Sequence, residues 1–369
     1  MALTLHGTVS DNTVALDRKT ATPLIINGDM AIAQRGTSFT TSGSFPVDRF
    51  SVGYGVTGGT FTISQDSTSP ADFNNSIKFL VGTGASAGSS EQAYIGTTFE
   101  GNNTSHLNFG TSDAKTITLS FRVRSSLTGT FCVALINNAF DRSYIAEYTI
   151  SSADTWEKKT ITFSGDTSGT WVGAVNTRSM LFRFDLGSGS NYNTTAGAWQ
   201  SGSFRNTSSQ TNLVNTSGAT FYITGVQLEV GTFDVNSIPP FQFEDRGTSL
   251  ARCQRYCYKV QADSTGNNGF IANASFGSAT NGFAHGHFPT KMRSVPSLSL
   301  SGAVGNYAVY RTNGASYLEL SALTLNGVSG SSFYLLSFTC ASGGVAGESC
   351  YLSEDGVTSN ESIIFEAEL

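Results

Sequence analysis

Two stretches of this sequence set flat rings among amides and hydroxyls. Asn191-Tyr192-Asn193 and Trp199-Gln200 lie in a Gly/Ser/Thr-rich run, and Tyr307, Tyr310, Arg311, Asn313 and Tyr317 cluster further along. Rings of this kind stack on the C–H faces of pyranoses, while neighbouring amides and charged groups take the hydroxyls. Sugar binding is the chemistry these types support, and spacing leaves open which cluster meets the ligand. Core packing is the other reading of Trp199 and of Trp171, because sandwiches bury tryptophan at least as often.

His285-Gly286-His287 is the one metal-like pattern. Residues two apart on a strand point the same way, so both imidazoles could face one ion. Three such pairs around a threefold axis would supply six nitrogens. Two polar residues on an exposed strand face is the simpler reading and the one favoured here. Cys253 and Cys257 share a helical face, but no second pair completes a zinc site. No cofactor is expected.

Catalytic constellations are lacking. Glycoside hydrolysis needs two carboxylates from separate elements flanking the bond. Here the acids sit at turns, Asp154 with Glu157, Glu244 with Asp245, Glu354 with Asp355. Turn carboxylates usually cap backbone amides or stay solvated. There is no Gly-x-Ser-x-Gly elbow and no phosphate-binding glycine loop before a helix. The expectation is a protein that is not an enzyme.

Charge and composition narrow the partners. A net charge of −6 argues against nucleic acid, whose phosphates need a basic face. No apolar run approaches the roughly 18 residues of a membrane span. The first residues have neither a basic start nor an apolar core, so no secretory signal is read there. The five cysteines are odd in number and irregularly spaced, which suits buried thiols in a cytosolic assembly better than a disulfide framework.

The elements that must hold these residues are strands. Only 13% of residues are charged, and 40 glycines and 26 phenylalanines are spread along the chain, a composition suited to β-sandwiches with polar turns. Ile117, Leu119, Phe121 and Val123 alternate with Thr118, Ser120 and Arg122; 77–81, 130–136, 156–163 and 180–186 read similarly. Phe221–Val230 alternates in two runs whose phase slips at Thr224-Gly225, as at a β-bulge. Pro239-Pro240 ends any strand, and Thr248 or Ser249 can cap a helical turn carrying Leu250, Cys253 and Cys257. Seven short strand candidates follow, at 270–274, 282–288, 297–300, 307–311, 317–325, 333–340 and 363–366. The fold expected is all-β: an N-terminal arm (1–22), an antiparallel jelly-roll sandwich (23–246) and a second, smaller β-sandwich (247–369).

The run FYITGVQLEVG (221–231), followed by LARCQRYCYK (250–259), resembles a junction found in bacteriophage tail-fibre and virion-fibre proteins. The resemblance includes Leu24–Met30, Ala33-Gln34-Arg35-Gly36, Asp48-Arg49-Phe50, Trp156–Thr160, Gly165–Trp171, and Phe288–Arg293 with Val295-Pro296. These pieces lie in order and cover most of the chain. The opening and the FYITGVQL ending are also similar to jelly-roll carbohydrate-binding modules. Those modules usually close on two acidic residues where this chain has Thr224-Gly225, so a module-like calcium site is not expected. The resemblance implies a structural virion protein, assembled in the host cytoplasm, that works as a homotrimeric tail fibre and attaches to host surface polysaccharide. It would dock to other virion proteins through the arm, with no nucleic-acid or membrane partner. A capsid-attached decoration fibre, or a depolymerase or its accessory module, are the alternatives.

Overall fold

The computed structural model describes residues 22–261, 269–311, 317–354 and 361–369. The expected arm, apart from Thr22, and Asn313 lie outside the described residues. The chain forms two compact units, one reaching to Ser249 and the other spanning Leu250–Glu368.

The first unit holds β1 (Ser38–Phe39), β2 (Ser44–Val47), β3 (Phe50–Gly55), β4 (Thr60–Asp66), β5 (Ser76–Thr83), β6 (Gln92–Glu100), β7 (Ile117–Ser125), β8 (Gly129–Asn137), β9 (Arg142–Ile150), β10 (Glu157–Phe163), β11 (Arg178–Asp185), β12 (Trp199–Ser201) and β13 (Thr220–Val230). They form a six-stranded sheet, β1-β4-β5-β13-β7-β10, and a seven-stranded sheet, β12-β9-β8-β11-β6-β3-β2. All strand pairings are antiparallel. Period-two alternation is the cause of the layering. Ile117, Leu119, Phe121 and Val123 of β7 face Phe131, Val133 and Leu135 of β8 and Phe182 and Phe184 of β11 in one hydrophobic core.

The segments that carry the sequence resemblance meet in this unit. The amide nitrogen of Val226 donates to the Gly28 carbonyl at 2.9 Å. A Cβ on Gly28 would sit 2.1 Å from the Val226 carbonyl oxygen, so only glycine allows that approach. Asn27, in left-handed conformation, ties the turn down by donating to the carbonyls of Ile32 and Asp48. The phase slip in β13 is a bulge, with its register shifting between Thr224 and Gln227.

The second unit holds β14 (Cys257–Gln261), β15 (Phe270–Phe276), β16 (Asn281–His287), β17 (Ser297–Leu300), β18 (Tyr307–Arg311), β19 (Tyr317–Leu325), β20 (Phe333–Cys340), β21 (Ser349–Glu354) and β22 (Ser362–Glu366). The all-β expectation holds for both units; closure is what sets this one apart from an open sandwich. Strands β15-β16-β20-β19-β18-β21 form a closed barrel, and β14-β22-β17 form a separate sheet that shares its core. Closure removes the unpaired edges that a six-stranded sandwich half would leave.

The helix Arg246–Gln254 is capped by Asp245, not by Thr248 or Ser249. The Asp245 carboxylate accepts the Thr248 amide at 3.0 Å and the Thr248 hydroxyl. Asp245 precedes the first turn and can reach its free amides, whereas Thr248 is already inside it.

Candidate functional site

The barrel carries a row of aromatic rings on its outer face. In β18 alternation sends Tyr307 and Val309 inward and leaves Tyr310 outside. Register then sets Tyr310 directly opposite Tyr317 of β19 on one side and Tyr351 of β21 on the other. The Tyr310 ring lies 5.5 Å from Tyr317 and 5.3 Å from Tyr351, with interplanar angles of 29° and 11°. Phe270, at the start of β15, continues the row 6.0 Å from Tyr351. Four adjacent strands thus contribute one ring each.

The spacing decides how the rings lie. Near-parallel rings with centroids 5.3 Å apart are too close to sit side by side in one plane, so they overlap in the offset-stacked manner aromatic pairs prefer. Tyr310 and Tyr351, in the middle, are half-buried by their neighbours. The end rings keep the most surface: Phe270 is 55% exposed and Tyr317 42%. Polar groups border the row on the same face. Asn273 pairs with Tyr351 across β15 and β21 and is exposed; Glu319 follows Tyr317 by two residues and is exposed.

Of the residues read from sequence, the structure brings Tyr310 and Tyr317 together and parts the others. Tyr307 is wholly buried, its hydroxyl donating to the Ser362 carbonyl at 2.8 Å, and burial pushes its phenol up. Its role is packing, because its side chain points to the opposite side of β18. Arg311 likewise leaves the row: its Nε and Nη2 clamp the Glu348 carboxylate at 3.0 and 2.9 Å. Sequence reading missed Tyr351 and Phe270. The signal available was the outward phase of each strand, but β21 as a whole was not read as a strand.

In the first unit, Trp199 is a packing residue at the edge of the core. Its ring lies 5.4 Å from Trp171, 5.6 Å from Tyr144 and 6.0 Å from Phe109, and its Nε1 donates to the Ser164 carbonyl at 2.8 Å. Beside it Asp166 accepts two bonds from Arg142, at 2.8 and 2.6 Å. Tyr192 is half-buried, donating to the Ser90 carbonyl at 3.1 Å, and the Arg205 guanidinium covers its ring. His285 and His287 are both exposed on one face of β16. Among the described residues no three His, Cys, Asp or Glu side chains converge on a point that could hold a metal ion.

Most turn acids do what turn acids do. Glu157 accepts the amides of Ser151 and Ser152 at 2.8 and 2.9 Å, and Asp154 meets Arg124 at 3.2 Å. All five cysteines are buried thiols, and burial pushes the thiols of Cys132 and Cys350 up to about 12, which leaves them protonated and unreactive at neutral pH.

No family model and no curated protein matches the sequence. Among solved structures the chain is similar to the enzymatically active domain of tailspike protein 4 from bacteriophage CBA120, at 12% identity and a TM-score of 0.32 over 56% of this chain. It spans 21% of that tailspike chain. It is similar also to a family 11 carbohydrate-binding module of a Clostridium thermocellum cellulase (15% identity, TM-score 0.28, 54% of this chain and 97% of the module). A third is the xylan-binding CBM22-1 domain of Paenibacillus barcinonensis Xyn10C, at 8% identity, a TM-score of 0.29, and coverage of 57% and 94%.

Proposed function

We propose that this chain is a non-enzymatic attachment protein that holds a surface glycan on the aromatic row of its barrel. The observation that carries the reading is the row itself: four outward rings from four strands, with exposed ends at Phe270 and Tyr317. Apolar rings on a soluble surface have a cost unless something covers them, and the C–H face of a pyranose covers a ring face while leaving its hydroxyls free. Those hydroxyls find acceptors and donors in Glu319, Asn273 and the tyrosine hydroxyls. A shallow ridge of this kind binds single sugars weakly, so attachment relies on several copies, where linkage raises avidity by roughly a hundredfold or more.

The sequence resemblance supports a place for the chain in a phage particle as a homotrimeric tail fibre, docked to other virion proteins through residues 1–22. The test replaces Tyr317 and Phe270 by alanine, together and singly, and measures binding to host surface polysaccharide. Both side chains are exposed, so the fold is expected to survive. The double variant should lose at least tenfold in binding, whereas Phe283→Ala, which removes an exposed ring elsewhere on the barrel, should change little. Unchanged binding in the double variant would make the row a subunit contact and the protein a decoration of the particle.

A further inference from the structure

The outer face of the seven-stranded sheet, in the other unit, carries polar groups that have no partner among the described residues. Alternation turns Tyr94, Leu181, Arg183 and Asp185 outward there, beside an apolar floor of Cys132, Ala134, Ile136, Ile145 and Leu181. Phe140 and Phe204 pack onto that floor. Arg183 and Arg205 are 8% and 6% exposed. Aromatic rings cover their flat faces: the Arg183 guanidinium lies 4.0 Å from the Tyr94 ring and 5.4 Å from Phe140, and Arg205 lies 3.8 Å from Tyr192. Phe140 keeps its ring there from a left-handed backbone at φ 58°, a conformation an aromatic residue seldom takes.

The rings cover the faces, and the edges, though buried as well, lack partners. Arg183 donates from Nη1 to Gln92 Oε1 at 3.3 Å, and its Nε has no acceptor; the Nε and Nη1 of Arg205 have none either. Among the described residues neither arginine forms an ion pair with a carboxylate. Asp185, wholly buried nearby, is already engaged by the Gly187 amide, the Ser188 hydroxyl and the Gln210 amide. Burial, and after it the charges of Arg205 and Arg178, hold the Arg183 guanidinium down to about 10, so the cations feel one another. The loop that brings Arg205 in also carries buried oxygens without a donor, on Asn193, Ser203, Asn206 and Gln210. Buried polar groups almost always have partners, so the orphaned donors of the two arginines, with orphaned acceptors in the loop that carries Arg205, ask for a ligand offering both.

We infer that Arg183 and Arg205 form a second binding site, which takes the carboxylate of an acidic sugar. The carboxylate takes the in-plane N–H groups that lack an acceptor, and the sugar hydroxyls donate to the orphaned oxygens of the loop. With Asp185 ionised, Arg183, Arg205 and Arg178 leave a net positive charge, which favours an anion. This reading uses the glycan proposal only in taking a sugar as ligand; its residues lie on a different unit from the aromatic row.

The experiment titrates the full chain with D-glucuronate, glucose and inorganic phosphate, following thermal stability and heat of binding. D-Glucuronate should raise the melting temperature, and glucose should not. Arg205→Gln and Arg183→Gln should each weaken D-glucuronate binding at least tenfold, while Arg205→Lys, which keeps the charge and loses the fork, should fall between. The Tyr317→Ala/Phe270→Ala protein should bind D-glucuronate as the parent does, which separates this site from the row. If the glutamine variants do not fold, the lysine variant and the three-ligand comparison on the parent chain still decide. The proposal is overturned by no response to D-glucuronate, by an equal response to phosphate, or by a loss confined to the row variant.

Discussion

Asp185 is wholly enclosed, and burial lifts its carboxyl from an ordinary value of 3.8 to about 6 despite the bonds from Ser188, Gln210 and Gly187. The sign of its effect follows from linkage. Between about pH 4 and 6 the folded chain holds a proton that the unfolded chain has released, so this group stabilises most below its unfolded value. That contribution is lost as pH rises through about 6. The swing is on the order of 3 kcal/mol, taking 1.36 kcal/mol for each pH unit. Asp185→Asn removes it. Urea unfolding of the two proteins should therefore show the variant gaining relative to the parent from pH 4 to pH 7. A difference that stays flat with pH would mean that Asp185 is ionised and satisfied in the fold. Carboxylates such as Asp66 and Glu147 are held low and act in the opposite direction, so only the difference between the two chains isolates Asp185.

Strand β13 shows what an element takes from its sequence. Gly225 sits at φ 61° in the bulge, and a Cβ there would lie 2.6 Å from the Phe73 ring. Gly225→Val combines a left-handed penalty of about 1–2 kcal/mol with a clash against that ring. Denaturant unfolding should show a loss of at least about 2 kcal/mol, and an unchanged midpoint would contradict the bulge geometry. This bulge was legible because a phase slip at a glycine is local. So were β7, whose apolar residues alternate without interruption, and β20, whose buried residues fall at every second position. Strand β21 was not: Ser349–Glu354 offers one apolar alternation among polar residues and follows a Gly/Ser-rich run. Losing β21 hid the aromatic row, because Tyr351 is its link between Tyr310 and Phe270. That link depends on β18–β21 and β15–β21 pairing between distant segments, which no local pattern encodes. Tyr307 and Tyr310 looked alike in composition, and only the phase of β18 separates core from surface.

Among the described residues each unit holds one main hydrophobic core, and the two share no residue; a smaller buried cluster lies on the outer face of the seven-stranded sheet. Residues 23–246 and 247–369, expressed apart, should each unfold in a cooperative thermal transition; failure of either half to do so would show that its core depends on the other. Barrel closure and the division into units follow from long-range pairing, so composition announced an all-β chain without announcing a barrel. A chemical-shift map tests most directly whether the barrel holds a glycan on its aromatic row. The ¹⁵N-labelled full chain would be titrated with oligosaccharide prepared from the host surface. The account predicts shifts centred on Phe270, Asn273, Tyr310, Tyr317 and Tyr351. A bound oligosaccharide that leaves those amides unmoved would contradict it.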